Sequence, residues 1–92
     1  MTGPPINIYF YPEKDEYEVG DVITCSADAK PAAAYFWQNL RTLDIIYDAA
    51  IMVSSDMRGF ATHMRCQAQN VILGFVYTQN LYTYVNVPAA SV

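Results

Sequence analysis

Charged residues are scarce in this sequence, and basic residues are the scarcest. Only 15% of the 92 residues are charged, with five lysines and arginines against nine acidic residues. The basic residues are scattered along the chain, so they cannot form the patch that neutralises a phosphate backbone. Together with the net charge of −4, this predicts that nucleic acid is not a partner.

The sequence also lacks long apolar runs and groups of catalytic or metal-binding residues. No run approaches the roughly 18 apolar residues that span a bilayer, so we expect no membrane insertion by this segment. One histidine, His63, and no glycine-flanked nucleophile motif argue against an enzyme. Two cysteines and His63 match no zinc pattern, and the acidic stretch at 13–18 is typical of a solvated turn. We therefore expect no metal and no cofactor.

Apolar and aromatic residues are plentiful. They make up 53% and 14% of the chain, with eight tyrosines and four phenylalanines. This composition excludes a disordered chain and suits packed β-structure. A length of 92 residues fits one domain, which is small enough to gain from a covalent crosslink.

Short alternating runs separated by turn residues predict an all-β chain. The predicted strands are "INIYFY", a short edge segment at "YEV", "VITCSA", "AAYFWQNL", "TLDIIY", "AAIMVSS", "ATHMRCQAQ" and "QNLYTYVNV". Between the last two we expect a loop around "NVILG". About seven to eight short strands without intervening helices predict a two-sheet sandwich or a barrel of antiparallel strands.

Two cysteines flank the single tryptophan at a characteristic spacing. Eleven residues separate Cys25 from Trp37, and twenty-eight separate Trp37 from Cys66. With "VGDVITCSADAKP" before the tryptophan, "CQAQN" after it and a final "YVNV", the chain resembles the immunoglobulin superfamily over essentially its whole length. Met64 departs from the family pattern, because a tyrosine usually stands two residues before the second cysteine. We expect an altered turn between the fifth and sixth strands for this reason.

The resemblance implies an immunoglobulin-like sandwich stapled by a Cys25–Cys66 disulfide packed against Trp37. A pair of buried thiols beside Trp37 is the alternative, because cytosolic members of the family tolerate it. Only about a dozen residues separate Trp37 from the "AAIMVSS" strand, too few for the two extra strands of a variable-type domain, so the resemblance favours an I-set or C2-type arrangement. In it, strands A, B, E and an optional D face strands C, F, G and C′. We expect the domain at 6–88, with linkers at 1–5 and 89–92.

Strict alternation along each strand predicts which side chains point inward. The predicted core includes Ile23, Tyr35, Trp37, Met64 and Val85. The outward positions of strands C, F and G predict a binding surface, to which the loop between F and G adds two apolar residues. The predicted binding residues are Phe36, Leu40, Arg65, Gln67, Leu73, Phe75, Tyr82 and Tyr84.

That surface combines aromatic side chains with arginine and glutamine and lacks lysine and carboxylates, as protein-binding patches do. The alternative is that tyrosine and phenylalanine simply cover an antiparallel sheet as good cross-strand partners. The apolar loop has its own alternatives, which are burial in longer strands or packing against a neighbouring domain.

The resemblance implies a recognition module of a cell-surface or secreted multi-domain protein, of the cell-adhesion or receptor type. Its partners would be a protein ligand and the neighbouring domains of the parent chain. The protein ligand could be a second copy of the same protein. The alternative function is a structural spacer, either extracellular or in an intracellular filament-associated array. The recognition-module interpretation places the domain outside the cell or at the cell surface.

Overall fold

The structure is a computed structural model that describes residues 2–89. Seven strands and one turn of 3₁₀-helix form in this part of the chain. The strands are β1 (Gly3–Tyr11), β2 (Val22–Lys30), β3 (Ala34–Asn39), β4 (Ile45–Ile46), β5 (Ala50–Met52), β6 (Phe60–Ile72) and β7 (Phe75–Val87). The 3₁₀ turn, Ser55–Met57, lies between β5 and β6 and buries Met57.

The strands form two antiparallel sheets, with the orders β1-β2-β5 and β4-β3-β6-β7. The buried apolar side chains lie between the sheets in one cluster. This arrangement confirms the predicted all-β, two-sheet antiparallel sandwich. Strands C, C′, F and G of the predicted arrangement correspond to β3, β4, β6 and β7.

Three predicted strands are missing or shorter in the structure. "YEV" is not a strand, "TLDIIY" is reduced to Ile45–Ile46, and "AAIMVSS" is reduced to Ala50–Met52. The Asn39 side chain explains the second difference, because its Oδ1 accepts hydrogen bonds from the amides of Arg41 and Thr42 and holds them in a turn. Only three residues then separate β4 from β5, and the optional D strand is absent from residues 2–89.

The centre of the core contains the disulfide that the resemblance implied. Cys25 on β2 and Cys66 on β6 are bonded, with their Cα atoms 6.5 Å apart. Trp37 is the direct cross-strand neighbour of Cys66 and is completely buried. Its Nε1 donates a 2.8 Å hydrogen bond to the carbonyl oxygen of Ala49, which satisfies the polar atom of the largest core side chain.

The remaining residues predicted for the core lie around this centre. Ile23, Met64 and Val85 are buried. Tyr35 is half-buried and packs against the core cluster. Its hydroxyl accepts a hydrogen bond from the Ala27 amide and donates one to the Ala27 carbonyl, so it links β3 to the other sheet.

Tyr17 joins the core from the turn between β1 and β2, although it lies in no strand. Its side chain is 1% exposed. The hydroxyl donates a 2.8 Å hydrogen bond to the Pro12 carbonyl and accepts one from the Lys14 amide. Nearby, the Glu18 amide and the Lys14 ammonium group hydrogen-bond the Asp21 carboxylate and lower its pKa. This acidic turn is therefore organised by its own contacts.

Replacing Tyr17 with phenylalanine is expected to lower the free energy of unfolding by about 1–2 kcal/mol, because the Pro12 carbonyl loses its buried donor. Urea unfolding followed by circular dichroism would measure the change. Tyr11→Phe is the matched control, because that side chain is 73% exposed and should change nothing. Equal stability of the two variants would show that the Tyr17 hydroxyl does not hold the turn.

The β6–β7 hairpin is longer than the sequence predicted. Thirteen residue pairs connect the strands without a register shift, from Phe60↔Val87 to Ile72↔Phe75. The turn is Leu73–Gly74, with φ values of 52° and 81°. The segment predicted as a loop is therefore strand apart from these two residues, which form a tight hairpin turn with positive φ at both positions.

This hairpin extends past the end of the sandwich. The last buried residue of β6 is Asn70, whose side-chain amide donates to the carbonyls of Gly3 and Pro31. The protein measures 55 × 22 × 16 Å, with a radius of gyration of 14.5 Å. A compact domain of this length would have a radius of gyration of about 12 Å. The projecting strands contribute to this elongated shape.

No helix within residues 2–89 is long and apolar enough to cross a membrane.

Candidate functional site

The outer face of the four-stranded sheet brings together the six predicted binding residues of strands C, F and G. Three cross-strand rows position them: Phe36 beside Gln67, Arg65 beside Tyr82, and His63 beside Tyr84. Leu40 joins the last row through a hydrogen bond from its amide to the His63 carbonyl. We call this surface the aromatic face and define it as Phe36, Leu40, Tyr47, His63, Arg65, Gln67, Tyr82 and Tyr84.

Side chains on the aromatic face are held by one another. The His63 and Tyr84 rings are stacked, with centroids 4.4 Å apart and planes 9° apart. Arg65 donates a 2.6 Å hydrogen bond to Oε1 of Gln38, and its guanidinium group lies 5.3 Å from the centre of the Phe36 ring. These contacts reduce the conformational entropy that binding a partner would cost.

Three tyrosines make the aromatic face strongly exposed. Tyr47 is 82% exposed, Tyr82 56% and Tyr84 61%. Arg65 is the one formally charged residue among the eight, although the protein as a whole carries a charge of −4. The eight residues therefore combine aromatic side chains and arginine without a carboxylate, a composition that is common in protein-binding surfaces.

Sequence reasoning missed Tyr47. Its ring lies 6.3 Å from that of Phe36, because Tyr47 follows Ile46, the cross-strand partner of Trp37. The predicted strand "TLDIIY" contained this residue, but its pairing with β3 could not be read from the sequence. Alternation along β6 from Cys66 also places His63 on the outer face, and the structure adds its stacking on Tyr84.

A second apolar surface lies where the β6–β7 hairpin projects. We call it the hairpin tip and define it as Val71, Leu73, Phe75, Val76 and Tyr77. Leu73 is 94% exposed and Phe75 68% exposed. The structure thus places the two predicted binding residues of this region in solvent. The alternative in which longer strands bury every second residue does not describe this end of the hairpin.

Within residues 2–89, no three histidine, cysteine or acidic side chains come together as a group that could hold a metal ion. In the acidic turn, the Asp21 carboxylate forms an ion pair with Lys14, with 3.0 Å between Oδ2 and Nζ. The predicted binding residues therefore lie on the aromatic face and the hairpin tip and not in this acidic turn.

Comparisons with known proteins give a match in structure and none in sequence. No protein-family model matches the chain, and no curated protein matches it either. The fold is similar to that in the structure of an amphioxus IgVJ-C2 molecule, with a TM-score of 0.70 over 91% of this chain. The two sequences are 21% identical, and the match spans 44% of the amphioxus chain.

The match in structure is consistent with three features of this chain: the two-sheet sandwich, the strand orders, and the disulfide beside a buried tryptophan. An immunoglobulin sandwich has these features, with the disulfide joining its second and sixth strands across the core. Here the bonded cysteines lie on β2 and β6. The chain therefore has the immunoglobulin fold.

Proposed function

We propose that this domain is a non-enzymatic protein-recognition module that binds its partner through the aromatic face. The observation that carries this proposal is the combination of exposure and order: Tyr82 and Tyr84 are more than half exposed, yet Tyr84 is stacked on His63. Rigid, exposed tyrosines provide contact area at a low cost in entropy, which is why binding surfaces are rich in them.

The hairpin tip is proposed to extend this surface. Leu73 adopts a left-handed φ of 52°, a conformation in which asparagine, aspartate or glycine is usual, and it is 94% exposed. A leucine in this position is unfavourable both for the backbone and for its contact with water. A partner that buries the leucine side chain would offset the second cost.

We further propose that the domain belongs to a cell-surface or secreted multi-domain protein of the adhesion or receptor type. The Cys25–Cys66 disulfide is consistent with an extracellular location, because disulfides persist in oxidising compartments. In the alternative function, a structural spacer, the hairpin tip packs on a neighbouring domain and the aromatic face binds nothing.

The experiment is cell staining with the domain, biotinylated and tetramerised on streptavidin, measured by flow cytometry on cells of the source organism. Tyr47→Arg changes the aromatic face at an 82% exposed position. Tyr11→Arg is the matched control, because Tyr11 is 73% exposed on β1 of the other sheet. We expect Tyr47→Arg to reduce apparent affinity at least about tenfold and Tyr11→Arg to leave it within about twofold.

Equal effects of the two substitutions would contradict binding through the aromatic face. Absence of staining by the unmodified tetramer would favour the spacer function instead.

A further inference from the structure

The outer edge of β7 carries a row of unpaired backbone groups. A two-residue hairpin turn places its flanking residues, Ile72 and Phe75, in a hydrogen-bonded pair, and the direction of bonding then alternates along the strand. Val76, Thr78, Asn80, Tyr82 and Tyr84 therefore direct their N–H and C=O groups away from β6. The Asn86 carbonyl follows the same alternation, because it accepts a 2.8 Å hydrogen bond from the Tyr17 amide on that edge.

Between the turn and Asn86, this edge pairs with no other strand, although β1 lies close beside β7. In the part of the chain that the structure describes, no hydrogen bond uses the backbone groups of the five residues from Val76 to Tyr84 that face outward. β1 pairs with β2 along its length and leaves β7 as the end of the four-stranded sheet.

The other three sheet edges are protected in the ways that natural proteins use. β4 has two residues and β5 has three. β1 contains Pro4 and Pro5 and has two register shifts in its pairing with β2. β7, in contrast, has 13 residues with no proline, no charged side chain and no register shift. A long, regular, uncharged edge is the type that accepts another strand.

We propose that the occupant of this edge is β7 of a second copy of the chain, paired antiparallel about a two-fold axis at Asn80. Antiparallel pairing centred there places Val76 opposite Tyr84 of the second copy and Thr78 opposite Tyr82. Every outward-facing N–H and C=O from Val76 to Tyr84 then finds a partner. Moving the centre along the strand leaves some of these groups unpaired, because the turn and the Tyr17 contact limit the free stretch.

The sequence of β7 is complementary to itself in this register. Val76–Tyr84 and Thr78–Tyr82 combine a β-branched residue with an aromatic one on the outer face, and Tyr77–Thr83 does so on the opposite face. Such pairs stabilise antiparallel strands. The absence of charged residues matters equally, because two copies with a net charge of −4 each meet here without opposing like charges.

In the dimer, the four-stranded sheets of the two copies would form one eight-stranded sheet. A two-fold axis perpendicular to the sheet places both aromatic faces on the same side, so the pair would present two binding surfaces to a partner. Dimerisation pairs the backbone edge of β7 and brings only Tyr82 and Tyr84 of the aromatic face to the seam, so it stands whether or not the aromatic face binds another protein.

Sedimentation equilibrium from low micromolar to near-millimolar concentration tests the dimer. Asn80 faces its own copy, so Asn80→Lys should weaken dimerisation at least about tenfold by like-charge repulsion, and Asn80→Asp should weaken it less because Arg65 lies beside that side chain. An equal mixture of the two variants should associate more tightly than either alone. Thr78→Pro should also prevent dimerisation, because it removes an amide that points away from β6 and so spares the fold.

Two controls separate this result from binding through the aromatic face. Tyr47→Arg should dimerise like the unmodified domain. Thermal melts should show that each variant at positions 78 and 80 remains folded. An unmodified domain that stays monomeric at the highest concentration would overturn the proposal, and so would a mixture that associates no more tightly than its separate components.

Discussion

Replacing Cys25 and Cys66 together by alanine is expected to lower the free energy of unfolding by about 4 kcal/mol in the chain-entropy description of disulfides. The bond joins residues 41 positions apart, so its loss restores a large loop-closure entropy to the unfolded chain. Domains of this size have a total stability of about 5–15 kcal/mol. The variant should therefore be marginally folded, and urea unfolding followed by circular dichroism would measure the loss.

Reductant provides the control for this prediction. Reduction should lower the free energy of unfolding of the unmodified domain to a value near that of the double variant. It should leave the free energy of unfolding of the double variant unchanged. A loss below about 1 kcal/mol in the double variant would contradict the expected loop-entropy contribution, because a loop of this length should contribute about 4 kcal/mol.

Trp37→Ala in the oxidised domain is expected to lower the free energy of unfolding by about 3–5 kcal/mol. Trp37 is 0% exposed, and its ring meets that of Phe10 edge to face at 6.5 Å between centroids. Alanine would leave a cavity beside the disulfide, between two sheets that are covalently joined there and can close only partly around it. Urea unfolding by circular dichroism would measure the change, since the variant has no tryptophan.

Trp37→Phe is the matched control. It keeps most of the ring volume and removes the hydrogen bond to the Ala49 carbonyl. That carbonyl still accepts a 2.8 Å bond from the Cys25 amide, so it is not left without a donor. The phenylalanine variant should therefore lose clearly less stability than the alanine variant. Equal losses would show that the hydrogen bond, rather than packing, is what Trp37 contributes.

Much of the sandwich could be predicted because Cys25, Trp37 and Cys66 fix the inward face of three strands. Alternation from Cys66 places His63 and Arg65 outward, as the structure has them. The β-branched residue Val85 similarly indicated the buried row of β7, and it is buried together with Val87. These inferences depend on local alternation, which a sequence displays directly.

The remaining features depend on contacts that alternation does not encode. The hairpin turn was predicted as a loop because Leu73–Gly74 lacks the asparagine or aspartate that usually precedes the glycine of such turns. Tyr17 is buried through its contacts with Pro12 and Lys14 and not through a strand pattern. The open edge of β7 follows from the pairing of β1 with β2, which composition does not reveal.

The function proposed for the domain depends on the register of β7 against β6, which turns Tyr82 and Tyr84 outward. Residue-resolved amide hydrogen exchange of the dilute, monomeric domain measures this register most directly. The expected result is alternation: slow exchange at Leu81, Thr83 and Val85, whose amides bond to β6, and fast exchange at Tyr82 and Tyr84. The reverse pattern would place both tyrosines in the core and contradict the aromatic face.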